Sequence, residues 1–239
     1  MKKIGIISGM GTKAGLEFLN KFISRISADN DQDFPEFIFH NNSSIPDRTK
    51  SILNIGPSPI DELRRSLSLI SDYRVDYIVS TCITSYHFLN QIEDSYSGNL
   101  INPFELIIEQ LKNNFPKVQK IGLLATTGTL KSKMFERVFE DLPFEIITLD
   151  GYYQEEKFMK SVYMNGGFKS SHTTAEAHEL FSDAVDKLID LGADLIIGAC
   201  TETQFGMANK KINIPYIDVV DLLVGEVIDL IYNTVENER

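Results

Sequence analysis

Cys82 and Cys200 are the residues of this 239-residue chain best suited to chemistry, because each closes an apolar run and opens a hydroxyl-rich turn. Asp76-Tyr77-Ile78-Val79-Ser80-Thr81-Cys82 aligns with Asp194-Leu195-Ile196-Ile197-Gly198-Ala199-Cys200, 118 positions later (200 − 82). A lone free cysteine is usually a small buried hydrophobe. Two of them at the same place in a repeat have no packing reason to share a register. Two thiols facing one another across a cleft suit proton transfer, in which one thiolate takes a proton from a carbon and the opposite thiol returns one. Each cysteine is followed by a helix start, whose free N–H groups and positive end lower a thiol pKa and receive a carboxylate.

The elements that must position these thiols repeat as well. Lys3-Ile4-Gly5-Ile6-Ile7-Ser8, leading to Gly11-Thr12, returns as Lys120-Ile121-Gly122-Leu123-Leu124-Ala125, leading to Gly128-Thr129, at an offset of 117 (120 − 3). Apolar runs predict strands near 3–8, 36–40, 76–80, 100–101, 121–125, 144–149, 194–198 and 216–217. Helical periodicity falls near 13–28, 60–72, 85–91, 104–113, 130–140, 175–191, 203–209 and 218–235. Strands of near-continuous apolar character separated by helices predict an α/β fold with parallel sheets covered on both faces, here two similar domains. Segments 41–59 and 150–174 read as long loops, and 99–116 joins the halves without a flexible tract, so the halves are expected to touch.

Ligands of open α/β sheets lie outside the carboxyl ends of the strands. Gly9-Met10-Gly11-Thr12 and Thr126-Thr127-Gly128-Thr129 follow two such ends, offering close backbone approach and hydroxyl donors, yet neither matches a phosphate-binding loop. Asn41-Asn42-Ser43-Ser44 faces a ligand or simply turns the chain. Arg48, in Ile45-Pro46-Asp47-Arg48-Thr49, is a candidate bidentate clamp for a carboxylate or a surface arginine paired with Asp47.

Composition narrows the function classes. A net charge of −11 argues against nucleic acid or an anionic membrane as partner. No stretch reaches the ~20 apolar residues of a membrane-spanning helix, and the first residues are too briefly apolar for a signal peptide. Two cysteines are too few for a structural zinc site and lack C-x-x-C spacing, and a reducing compartment disfavours their disulfide. His40, His87, His172 and His178 have no metal-ligand spacing, and His87 reads as a helix-surface residue ahead of a catalytic one. No metal or cofactor site is therefore expected.

Ser8-Gly9-Met10-Gly11, Ile45-Pro46-Asp47-Arg48-Thr49, Thr81-Cys82-Ile83-Thr84, Gly122-Leu123-Leu124-Ala125-Thr126-Thr127-Gly128-Thr129 and Ala199-Cys200-Thr201-Glu202 together resemble the cofactor-independent aspartate/glutamate racemase family, in order over essentially the whole chain. Gly9-Met10-Gly11 and Cys200-Thr201-Glu202 are more similar to its aspartate-racemase type. The resemblance implies two pseudo-twofold-related α/β domains with the active site between them: 1–103 plus 218–239 carrying Cys82, and 104–217 carrying Cys200. It implies a final helix packed back on the first domain, and a cytoplasmic homodimer acting on a small amino acid. It makes Cys82 and Cys200 the acid/base pair, with Met10, Asn42, Arg48, Thr84, Thr126 and Thr201 holding substrate. Rival readings are a racemase for another amino acid or a hydantoin, a maleate-type isomerase in which one cysteine adds to an alkene, and a non-catalytic ligand-binding relative. The pattern departs in two places. Ile83-Thr84-Ser85-Tyr86 stands where the family carries Asn-Thr-Ala-His, and Gly167 stands where some members place a lysine four residues after the tyrosine matching Tyr163, the nearest lysine being Lys169.

Overall fold

Short runs of β-branched and aromatic residues bounded by polar turns become eight strands in the computed structural model, which describes residues 1–93 and 96–232. The chain divides into two units, Met1–Leu106 with the segment from Val220, and Ile107–Val219. The first unit runs β1 (Ile4–Ser8), α1 (Thr12–Ser24), β2 (Phe37–Asn41), α2 (Arg48–Ile52), α3 (Ile60–Asp72), β3 (Tyr77–Ser80), α4 (Tyr86–Leu89) and β4 (Asn99–Leu100). Its sheet is parallel throughout, in the order β2-β1-β3-β4. Helix α5 (Pro103–Asn114) leads into the second unit.

That unit runs β5 (Lys120–Leu124), α6 (Thr127–Lys131), α7 (Met134–Phe139), β6 (Glu145–Ile147), α8 (Lys160–Tyr163), α9 (Ala175–Asp190), β7 (Leu195–Gly198), α10 (Thr203–Met207) and β8 (Tyr216–Asp218). Its parallel sheet has the order β6-β5-β7-β8, the same pattern as the first. Helix α11 (Val219–Tyr232) then returns the chain to the first unit. Among the described residues, no helix is long and apolar enough to cross a membrane.

The repeat in sequence is a repeat in strand register. Ile4 pairs with Tyr77 and Ile121 with Leu195, so both partners advance by the repeat offset (121 − 4 = 117; 195 − 77 = 118). The glycines of the inner strands match too. A Cβ on Gly5 would meet Ile70 of α3 and Val75, and one on Gly122 would meet Leu188 of α9 and Ala193, each 117 or 118 positions on. Both glycines let a covering helix approach its strand closely.

Sequence and structure differ where helices are short or unusual. The expected helix 130–140 is broken into α6 and α7 by Lys133, whose φ of 55° and ψ of 27° end the helical path. Helix α2 rises inside the expected loop 41–59, started by the Asp47 side chain, which accepts from the Lys50 N–H at 2.8 Å. In the expected loop 150–174, a π-helix over Tyr153–Met159 continues into α8. The expected helix 218–235 is observed as α11, and its last three positions, 233–235, lie outside the described residues.

The core of the second unit packs Phe158 of the π-helix and Val162 of α8 against Phe168 and Phe181. The last two rings meet edge-on at 5.5 Å and 76°. Cys200 belongs to this same apolar cluster.

Candidate active site

Both thiols are buried and neither is in a disulfide, with Cys82 7% and Cys200 5% exposed. Strand β3 is inner in its sheet, and its buried residues hand over through Thr81, whose N–H donates to Ile7 O at 3.0 Å. Strand β7 is inner in the other, and Ala199 N–H donates to Leu124 O at 2.9 Å in the same way.

The two cysteine turns close identically. The Cys82 carbonyl accepts from Ser85 twice, from its N–H at 3.1 Å and from its hydroxyl at 2.6 Å. The Cys200 carbonyl accepts from Thr203 twice, from its N–H at 3.0 Å and from its hydroxyl at 2.6 Å. Ser85 and Thr203 stand 118 positions apart (203 − 85), so the repeat extends through the turn. A hydroxyl three residues after each cysteine is what locks the carbonyl and so fixes where the Cα–Cβ bond points.

This accounts for half of the departure noted in sequence. Ser85 Oγ also meets Ser80 Oγ at 2.7 Å, and the Tyr86 hydroxyl accepts from Ser80 N–H at 3.2 Å. Ser85 and Tyr86 are thus a matched pair that pins the turn to the end of β3. Burial pushes the Tyr86 phenol well above its ordinary value, so it stays a neutral hydrogen-bonding group.

The remaining candidates lie at the same carboxyl edges. In the first unit, the Met10 carbonyl after β1 accepts from Arg48 at 2.6 Å, and Arg48 also donates to Pro46 O at 2.8 Å and Ile45 O at 3.3 Å. Arg48 is therefore a buried residue and not a surface arginine. Asn42, after β2, donates to Glu62 Oε2 and Ser66 Oγ, both at 3.0 Å, and accepts from Ser44 N–H at 3.1 Å and from Arg65 at 3.0 Å. Helix α2, which carries Arg48, lies against the 83–85 turn that holds the buried Thr84. In the second unit, Thr126 caps α6, its hydroxyl accepting from Thr129 N–H at 3.2 Å, and Thr201 donates to Glu202 Oε2 at 3.3 Å.

The expectation of a lowered thiol pKa is overturned at Cys200. Burial first, and then the Glu202 carboxylate, push this thiol well above its ordinary value, with Lys169 opposing them. The Sγ donates to Glu202 Oε2 at 3.0 Å, and Lys169 Nζ meets Glu202 Oε1 at 2.5 Å. Helix α10 spans only Thr203–Met207 and begins past Glu202, so its terminal N–H groups are outweighed by an adjacent carboxylate. Sequence reasoning missed Glu202 and Lys169 as parts of the site. Glu202 was visible two residues from the cysteine, whereas the 33 positions separating it from Lys169 carry no periodic signal (202 − 169).

Two open grooves lie elsewhere. One of about 330 Å³ is lined in the first unit by residues including Tyr86, Asn90 and Asn102, and one of about 580 Å³ in the second by Lys112, Lys117, Pro143 and Phe144, before the start of β6. Neither is lined by a cysteine. Among the described residues, no group of three or more His, Cys, Asp or Glu is placed to hold a metal ion.

Comparison with known proteins places the chain in a family and matches its fold. The profile of the Asp/Glu/Hydantoin racemase family matches residues 7–227. The broad specificity amino-acid racemase RacX of Bacillus subtilis (strain 168) is 24% identical over 225 residues, covering 90% of this chain and 92% of that protein. The structure of Picrophilus torridus aspartate racemase superposes with a TM-score of 0.82 at 26% identity, covering 96% of this chain and 94% of the other. A glutamate racemase from Francisella tularensis subsp. tularensis SCHU S4, in complex with D-glutamate, shares the fold at a TM-score of 0.68 and 15% identity, covering 98% and 82% of the two chains.

Proposed function

The chain belongs to the Asp/Glu/hydantoin racemase family, which makes it an isomerase, and from that premise we propose that it racemises an acidic amino acid, aspartate or glutamate, without a cofactor, by proton transfer at the α-carbon through Cys82 and Cys200. The observation that carries the reading is the identity of the two cysteine turns. Each thiol is buried just past the carboxyl end of a matched inner strand, its carbonyl doubly held by the residue three positions on.

In this reading one thiolate removes the α-proton and the other thiol delivers a proton to the opposite face. One C–H bond breaks and another forms, and the proton count of the two sulfurs is unchanged. The α-carbon beside a carboxylate is a very weak acid, so the developing enediolate-like charge needs fixed donors. Thr84, Thr126 and Thr201, with the backbone around Met10, are the groups proposed to supply them. Arg48 and Asn42 take part by holding the loops after β1 and β2, since the terminal nitrogens of Arg48 donate to three backbone carbonyls and the Asn42 amide meets Glu62, Ser66 and Arg65. The same reading makes the protein a cytoplasmic homodimer, which light scattering of the purified protein checks for subunit number.

Replacing Cys82 or Cys200 by Ser is expected to lower D/L interconversion by at least ~10²-fold, the usual size of a general acid or base contribution. Chiral chromatography under reductant reads the loss, and α-deuterium uptake in D₂O separates proton transfer from addition to an alkene. Wild-type interconversion in either single variant excludes the two-thiol assignment.

A second reading is favoured by the engagement of the cations. Arg48 is spent on backbone carbonyls and Lys169 on Glu202, which suits a substrate side chain without a carboxylate. A panel of L- and D-amino acids decides between them, because turnover confined to aspartate and glutamate supports the first reading and turnover of apolar or basic amino acids the second.

A further inference from the structure

The turn after β7 sets a carboxylate against a sulfur. The Glu202 side chain is 3% exposed and takes the Cys200 S–H on Oε2 and the Lys169 ammonium on Oε1. Lys169 reaches in from the segment after α8, with Nζ 5.4 Å from the centroid of the Tyr163 ring. This is where the repeat breaks, because the position matching Glu202 in the first copy is Thr84 (202 − 118). The two turns, closed by the same pair of hydrogen bonds to the cysteine carbonyl, therefore differ in charge by one buried carboxylate and the cation that meets it.

Resting on the two-thiol reading, we propose that the Lys169–Glu202 pair decides which sulfur holds the proton in the resting enzyme: Glu202 keeps Cys200 as the thiol, the proton donor, and Lys169 steadies that sulfur once the proton has left. A thiolate beside a buried carboxylate is a like-charge pair, and a buried carboxylate favours the protonated neighbour. When the Cys82 thiolate takes the α-proton, the Cys200 S–H bond breaks as the new C–H bond forms. The enzyme then carries a Cys82 thiol and a Cys200 thiolate next to Glu202, with Lys169 as the compensating cation. The direction agrees with the raised Cys200 thiol, for which Glu202 acts upward and Lys169 downward.

Other titratable groups on the packed elements are turned to other partners or lie in the neighbouring strand. The Tyr216 hydroxyl donates to Thr203 Oγ1 at 3.0 Å, His178 of α9 packs its ring against Phe168 at 5.2 Å, and Asp218 ends β8 opposite Gly198. Lys169 and Glu202 are thus positioning residues that act through Cys200, and their opposite charges give opposite signatures.

The test is the pH dependence of Cys200 alkylation by iodoacetamide in the intact protein, followed by mass spectrometry of the Cys200 and Cys82 peptides. Glu202→Gln is expected to move the Cys200 midpoint down by about one pH unit and Lys169→Met to move it up by about one, the usual size for a neighbouring charge. The Cys82 midpoint should hold in both. Shifts of the same sign, or no shift in either variant, overturn the proposal, since loosened packing alone would expose Cys200 alike in both. If Glu202→Gln loses its cooperative melt, the sign of the Lys169→Met shift decides by itself. Alkylation needs no turnover, so the proposal and the two-thiol reading fail separately: racemisation surviving in Cys200→Ser removes the reading, while unmoved midpoints remove the charge control.

Discussion

Arg48 shows how a residue's partners decide its role. Its guanidinium donates to the carbonyls of Met10, Ile45 and Pro46, and the residue is 7% exposed. A buried cation that satisfies three backbone oxygens ties the loop after β1 to the start of α2. Replacing it by lysine keeps the charge but loses the planar fork that reaches several acceptors at once. Arg48→Lys is therefore expected to lower stability by about 1–3 kcal/mol, the range for buried hydrogen bonds to a charged group, read as a lower urea midpoint. A residue serving only as a substrate clamp would instead raise KM and leave the midpoint unmoved. The sequence motif around Arg48 exposed the residue but not this choice, because both roles call for the same fork of N–H donors. Cys82 and Cys200 were legible for a different reason: their repeat register is a property of the chain itself. The raised pKa of Cys200 was not, since it depends first on burial, which only the packed fold sets, and then on the Glu202 carboxylate, with a lysine 31 positions away opposing both (200 − 169).

Strands and long helices were legible at the level of elements because their burial is periodic. In α3 the buried residues are Leu63, Ser66, Leu67 and Ile70, a stripe at three- and four-residue spacing. The segments that escaped are those whose signal is one residue deep. Helix α2 depends on the Asp47 cap, and the π-helix over Tyr153–Met159 shifts the period that a helical search expects. The packing of helix on strand makes a prediction at this scale. A Cβ on Gly5 would lie 2.2 Å from Ile70 Cγ2, whereas one on Gly122 would lie 3.0 Å from Ala193 Cβ. Ile70 is β-branched and stiff at χ1, so α3 has to move to admit a methyl group. Gly5→Ala is expected to cost about 1–3 kcal/mol by overpacking, and Gly122→Ala less. Thermal melts of the two variants check the order, and equal losses would mean that the covering helices yield equally.

The first unit is assembled from both ends of the chain, residues up to Leu106 and the segment from Val220, and the way it is closed can be weighed. Helix α11 buries Val220, Leu223, Val224, Val227 and Ile231, a stripe of five apolar side chains. At roughly 1.5–3 kcal/mol each, and reading such sums as upper bounds, that burial is on the order of 10 kcal/mol. The polar ties to α1 are weaker. Asp221 meets Lys21 at 3.0 Å and Arg25 at 2.5 Å, with its own side chain 41% exposed. Such half-exposed pairs are worth roughly 0–1 kcal/mol. Total stabilities of about 5–15 kcal/mol leave no margin for losing the helix, but ample margin for losing the pairs. A chain ending at Val219 should therefore lack the cooperative melt of the parent and be cut rapidly by trypsin within residues 1–106. Asp221→Ala should melt within about 2–4 °C of the parent, the shift expected for 1 kcal/mol in a chain of this size. A truncated chain that melted like the parent would mean that the apolar stripe of α11, despite its burial, contributes little to holding the first unit together.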